Sequence, residues 1–174
     1  KGIAPFPATL CVSVNDVIIH GIPSKKEILK DGDIVSVDLV VYKNGFHGDC
    51  ARTYIVKETT QEAKRLVEVT KQAFYEGIRF AKAGNRIGDI SHAVGEFVNK
   101  NGYSVIKEFE GHGIGRQMHE EPAVPNYGKA GKGIRLIPGM TIAVEPMVVM
   151  QNTKICELED GWTIVTDDGS LAAH

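Results

Sequence analysis

A run rich in β-branched residues, Asp33 to Tyr42, leads into Lys43-Asn44-Gly45-Phe46, and this junction constrains the fold more than any other stretch. An Asn-Gly pair between two strand-like runs favours a two-residue type I′ turn, in which both central residues need positive φ. If Asn44 and Gly45 make that turn, Lys43 pairs with Phe46, and counting back sets Val40 opposite Asp49. Asp38 is two residues from Val40, so it lies on the same face as Asp49, on the diagonal. Diagonal Cβ atoms on paired strands are roughly 7–8 Å apart, a gap that two short carboxylates close around a cation. Either aspartate alone reads as a solvated face or a turn cap. Both together, among Val35, Val37, Leu39, Val40 and Val41, place like charges in apolar surroundings, which is costly without a counter-cation. A metal ion is the simplest way to satisfy them.

Other donors follow. His112 sits between glycines in Gly111-His112-Gly113-Ile114-Gly115, so backbone can approach closely and a neutral imidazole is presented as a ligand. The bland alternative is an idle loop histidine. His119 stands seven residues on, and His119-Glu120-Glu121 is not HExxH, so a zincin helix is not supported. His119 reads instead as a hydrogen-bond donor beside a metal. Glu145 interrupts the apolar stretch from Met140 to Val149, where a carboxylate is seldom unpaired, although Pro146 keeps an edge-strand charge in play. His20, at the end of an apolar run before Gly21, is the weakest member of the set, and His47 and His92 read as strand and helix-surface histidines. An Asp, Asp, His, Glu set favours Mn, Fe or Co, with Zn also accommodated. Two ions held close together would acidify a shared water and clamp a tetrahedral intermediate, which points to hydrolysis of an amide or ester.

Rival motifs fail. The glycines around His112 have the wrong spacing for a dinucleotide loop and no βαβ unit around them. Gly128-Lys129-Ala130-Gly131-Lys132-Gly133 is no Walker loop and reads as a surface loop, and there is no Gly-x-Ser-x-Gly elbow. A net charge of −2 gives no electrostatic argument for nucleic acid or an anionic membrane as a partner. No apolar run reaches the length of a membrane span. Three cysteines without CxxC spacing suggest a reducing, cytoplasmic setting.

The remaining pattern is α+β. Strands are expected at Thr9–Val14, Val17–His20, Asp33–Tyr42 and on to Val56, then at Tyr103–Phe109, Met140–Met150 and Gly161–Thr166, the last in a hairpin about Asp168-Gly169. Thr59-Thr60-Gln61-Glu62 has capping-box spacing and opens a helix to about Ala83-Gly84. A second helix runs from about Asp89 to Asn101-Gly102, with Ile90, Val94, Phe97 and Val98 as its stripe.

These residues resemble the type I methionine aminopeptidases, whose pita-bread fold is shared with aminopeptidase P and prolidase. The resemblance is carried by Cys11-Val12-Ser13-Val14-Asn15, Val17-Ile18-Ile19-His20-Gly21-Ile22-Pro23, Asp38, Phe46-His47-Gly48-Asp49, Gly111 to Pro122, Pro138-Gly139-Met140-Thr141, Glu145-Pro146-Met147 and Asp160-Gly161-Trp162-Thr163, in family order along the chain. It implies an antiparallel sheet with helices packed on one side, in a single metallopeptidase catalytic domain over residues 1–174. It also implies that the family's N-terminal segment and final strands, with a fifth, bridging glutamate just past His174, lie outside this stretch. Asp38 and Asp49 would hold one divalent ion, and Asp49 would bridge to a second held by His112 and Glu145, the ions being Co, Mn, Fe or Zn. His119 would contact the scissile carbonyl, and His20 the scissile amide. Phe6, Cys11, Met118 and Trp162 would line a methionine pocket, with Met118 where the family often has an aromatic. The implied activity is removal of the initiator methionine ahead of a small second residue, on nascent chains at the ribosome, by a cytoplasmic monomer. The alternatives are a prolidase-like or aminopeptidase P-like peptidase, a non-catalytic binding protein of the same fold, and an inactive fragment.

Overall fold

The computed structural model describes residues 5–174. In chain order the described elements are β1 (Cys11–Val14), β2 (Val17–Ile19), β3 (Ile34–Lys43), β4 (Phe46–Ile55), α1 (Gln61–Ile78), α2 (Ile87–Lys100), β5 (Ser104–Val105), β6 (Gly111–Gly113), β7 (Glu120–Val124), β8 (Val148–Val149), β9 (Ile155–Glu157), β10 (Ile164–Thr166) and β11 (Ala172–Ala173). Every described strand pair is antiparallel. This is the expected α+β architecture, with the sheet broken into four pieces ordered β1-β3-β4, β2-β10-β9, β11-β8-β5 and β6-β7.

The β3–β4 hairpin has the register counted from its turn: Lys43 pairs with Phe46, Val40 with Asp49 and Asp38 with Ala51. Asn44 and Gly45 have φ of 53° and 86°, the left-handed pair that a type I′ turn needs. On the far side of β3, Cys11 of β1 pairs with Asp38. The start of β3 is pinned by Asn15, whose amide donates to Asp33 at 2.9 Å while its carbonyl oxygen accepts from the Ile34 N–H at 3.1 Å.

Helix α1 begins one residue later than the capping-box spacing suggests. The Thr59 hydroxyl is taken up by the Gly32 carbonyl at 2.6 Å, so Thr60 caps the helix by accepting from the Ala63 N–H. The helix stops at Ile78, short of Ala83-Gly84, and Phe80 beyond it is exposed. There the Asn85 amide binds the Phe80 carbonyl at 2.9 Å and turns the chain away from the helix axis. Helix α2 starts before Asp89, whose carboxylate accepts from the Arg86 N–H at 2.7 Å, as an acidic residue in a first turn does.

Ala63, Leu66, Val69 and Ala73 of α1 and Ile87, Ile90, Val94 and Val98 of α2 recur at helical spacing and are buried. They form one core with Ile34, Tyr103, Val105, Val124, Leu136, Val148 and Ala173, so both helices lie against strands of several sheets. A second cluster of Ile18, Ile19, Ile106, Met147, Val149, Ile164 and Ala172 joins the C-terminal strands to β2.

Two expected strands and one expected hairpin are corrected. Tyr103–Phe109 contributes only Ser104 and Val105, and Met140–Met150 only Val148 and Val149, to named strands. The stretch before Glu145 instead runs beside β6, with Ile114 N–H donating to Thr141 O at 3.1 Å and His112 and Ala143 exchanging bonds of 3.2 and 2.7 Å. The Asp168-Gly169 turn does not close a hairpin on β10. It carries the chain to β11, which pairs with β8 in a different sheet, while β10 pairs with β2 and β9.

Candidate metal centre

The site lies where the β3–β4 hairpin meets β6 and the crossing stretch around Glu145. One ligand atom each from Asp49, His112 and Glu145 lies within 4.8 Å of the others. Alternation along the hairpin puts Asp38 on the same face as Asp49, one pleat away. The glycines beside His112 have a visible purpose, since a Cβ on Gly111 would run into the Ala143 carbonyl and one on Gly113 into that of Glu121. Only bare backbone lets these segments approach so closely.

His112 is oriented for ligation. Its Nδ1 faces the Gly113 carbonyl at 2.8 Å, which fixes the proton there and leaves the Nε2 lone pair free. Nε2 points at the acids, 3.2 Å from Glu145 Oε1 and 3.6 Å from Asp49 Oδ2. In that tautomer His112 offers no proton to Oε1, and Glu145 Oε1 is buried without a hydrogen-bond partner. Lone pairs converging in a half-buried space need a cation between them. The donor set fits a divalent metal on this observation.

The electrostatics agree. Burial pushes the Glu145 carboxyl up to about 8, with the charges of Asp49 and Asp38 adding to it. Asp38 and Asp49 are also raised, each mainly by burial. Three acids whose anionic forms are disfavoured together describe a site built for positive charge. The main chain behind Glu145 is held by Asn126, a fully buried side chain whose amide donates to the Glu145 carbonyl at 2.7 Å.

His119 packs at a tilt against His112 with ring centres 4.3 Å apart, and burial followed by the neighbouring His112 lowers its pKa. His20 has φ 59°, a left-handed conformation that is strained for a histidine and typical of functional positions. Its ring packs edge-on against Phe109 at 5.8 Å and Trp162 at 5.9 Å, and burial lowers its pKa. Trp162 in turn packs edge-on against Phe6 at 5.3 Å. Its position is set by Asp160, which accepts from the Trp162 and Thr163 N–H groups at 2.9 and 2.8 Å and from the Thr163 hydroxyl at 2.6 Å. Cys11, across from Asp38, has its thiol pushed up to about 12, chiefly by burial, and therefore stays neutral. Phe6, His20, Phe109 and Trp162 thus make an aromatic wall, whereas Met118 lies in a loop before β7 and is 40% exposed.

Sequence reasoning missed Phe109, Asn126 and His174. Phe109 reads as the last residue of an apolar run, and Asn126 as part of a polar loop. His174 is buried beside the site, with Nδ1 3.3 Å from the Pro146 carbonyl and its N–H donating to the Thr53 hydroxyl at 2.9 Å. No spacing signal marks it.

The model for metallopeptidase family M24 matches residues 2–167. This chain belongs to that family. Among its relatives, the methionine aminopeptidase of Clostridium acetobutylicum is 49% identical over the whole of this chain, and that of Clostridium perfringens is 51% identical. This chain spans 70% of the length of each. The crystal structure of the Thermotoga maritima methionine aminopeptidase superposes with a TM-score of 0.92 at 48% identity, covering 94% of this chain and 66% of that one. The prolidase of Pyrococcus furiosus, 22% identical with a TM-score of 0.71 over 95% of this chain and 48% of its own, shares the pita-bread fold of the M24 family. Divalent metal use is a property of this family, and the Asp49–His112–Glu145 group is where this M24 chain can supply it.

Proposed function

We propose that this chain is the catalytic part of a methionine aminopeptidase that removes an N-terminal methionine ahead of a small second residue. The observation that carries the reading is the convergence of the His112 Nε2 lone pair with the unpartnered Oε1 of Glu145 and the carboxylate of Asp49. Relatives of that name at about half identity over the full chain support the methionine branch, whereas the likeness to prolidases extends to the fold.

Asp49, His112 and Glu145 would hold one divalent ion, and Asp38 with Asp49 a second, drawn from Co, Mn, Fe or Zn. When bound, the ions supply Lewis acidity and lower the pKa of water at the site. The residues of the chain do the rest. His119, neutral because its pKa is lowered, donates a hydrogen bond to the scissile carbonyl oxygen as negative charge develops there. His20, also neutral, contacts the scissile amide and supports the departing amine. Phe6, Cys11 and Trp162 enclose the methionine side chain in a neutral, polarizable pocket, and Met118 contributes from the adjacent loop. The substrate is a peptide with a free N-terminal methionine, including nascent chains leaving the ribosome, and the enzyme acts as a cytoplasmic monomer. No described helix is long and apolar enough to cross a membrane.

The test is hydrolysis of Met-Gly-Met-Met and of Met-Leu peptides with added Mn, Co or Fe, and again with chelator. Metal-dependent release of methionine from the first peptide alone is the expected result. Cleavage of Xaa-Pro dipeptides in preference to both would assign a prolidase instead.

A further inference from the structure

The tip of the β3–β4 hairpin carries an aromatic and apolar rim that neither the metal centre nor the methionine pocket uses. Val41, Tyr42 and Phe46 are more than half exposed there, although strand residues of this kind are ordinarily covered. Asp38, Val40 and Tyr42 alternate onto one face of β3, and their neighbours Asp49 and His47 lie on the same face of β4. Tyr42 and His47 are paired across the strands with ring centres 4.7 Å apart. They therefore stand on the metal-facing side of the hairpin, one pleat beyond the Val40–Asp49 pair.

This rim is ordered in advance. The Gly115 carbonyl accepts from the His47 N–H at 2.8 Å and lies 3.2 Å from His47 Nδ1, which ties the tip to the segment between His112 and His119. Arg116 from that segment sits over the Phe46 ring at 5.8 Å and braces the outer face. The aromatic wall proposed for methionine is Phe6, His20 and Trp162, and His119 packs against His112. Cys11 of that pocket pairs with Asp38, and Val40–Asp49 and then Tyr42–His47 follow along the same face toward the tip, with His119 close enough to His47 to feel its charge.

Resting on the aminopeptidase reading above, we infer that Tyr42, stacked on His47, forms a binding platform for the third residue of the substrate peptide and favours an apolar or aromatic side chain there. A planar, exposed ring held rigid by its neighbour gains contact area with little loss of side-chain freedom. The preference enters through KM, because the third residue takes no part in bond cleavage.

The test compares kcat/KM for Met-Ala-Phe-Gly and Met-Ala-Gly-Gly in the metal-loaded protein, alongside the dipeptide Met-Ala. The expected ratio between the tetrapeptides is roughly fivefold in favour of phenylalanine, carried by KM. In Tyr42→Ala the ratio falls to about one, and Tyr42→Phe keeps it. Tyr75→Ala, which removes another exposed aromatic, from α1, leaves the ratio as in the parent. A parent ratio of one, or an unchanged ratio in Tyr42→Ala, overturns this inference alone. Failure to cleave any of the three peptides, the dipeptide included, overturns the aminopeptidase reading and this inference with it.

Discussion

The helical layer and the metal-facing cluster are both substantially buried, yet they are built on opposite terms. In the layer, Leu66, Ile90, Val94 and Val98 are fully enclosed by apolar neighbours, and each gains from being there. In the cluster, Asp38, Asp49 and Glu145 are each disfavoured as anions by their surroundings, and Glu145 Oε1 has no partner. One region is complete as folded and the other is complete only with a cation. The layer supplies the stability that lets the cluster remain unsatisfied.

That contrast predicts that stability and activity separate by region. Asp49→Asn should lower metal-dependent turnover by more than about 10²-fold while leaving the circular dichroism spectrum unchanged. Retained metal binding and turnover would remove Asp49 from the proposed ligands. Leu66→Ala should do the reverse: it destabilises by about 2–5 kcal/mol in chemical denaturation, while the folded fraction keeps its specific activity. A comparable loss of kcat in that variant would mean that the two regions are not separable.

The charge side can be sharpened by pH. In the metal-free protein Glu145 keeps its proton up to about 8, whereas the unfolded chain releases it near 4.5. At this carboxyl the folded state then binds more protons across that window, so the stability Glu145 contributes falls as pH rises from about 4.5 to 8. Asp38 and Asp49, also raised, act in the same direction. His20 and His119, whose pKa values are lowered, act the other way below the usual histidine value of 6.5, so melting temperatures in chelator should slope downward from about pH 6.5 to 8, and Glu145→Gln should flatten that slope and raise Tm at the alkaline end. A rise in Tm from about pH 6.5 to 8 would contradict the assignment. The smallest effect belongs to the surface: Arg79→Ala, which breaks an exposed pair with Glu76, should change stability by no more than about 0.5 kcal/mol. A larger change in urea denaturation would mean that Arg79 does more than its exposed pair implies.

What the sequence made legible follows the strength of its local signals. The Asn44-Gly45 turn has one good conformation, so the register of twenty residues and the shared face of Asp38 and Asp49 could be counted from it. The glycines around His112 correctly signalled close backbone approach. Apolar composition misled where the chain crosses between sheets. The stretches around Tyr103–Phe109 and Met140–Met150 look like strands because they are buried, but their hydrogen bonds go to scattered partners rather than a ladder. The capping box slipped by one residue because two adjacent threonines compete, and Gly32 claims the first. Asn126 and His174 were invisible because their roles depend on long-range contacts to Glu145 and Pro146, which leave no periodic trace.

The hairpin register also limits how this protein can change over generations. Side chains on a strand alternate between faces, so inserting or deleting one residue within either strand, between Asp38 and Lys43 or between Phe46 and Asp49, would send one of the two carboxylates to the opposite side. Length changes in these arms are therefore tolerable only in even steps, or where a bulge absorbs the odd residue. Across related chains the two strand arms should therefore change length by parity, and odd changes should collect at the Asn44-Gly45 turn.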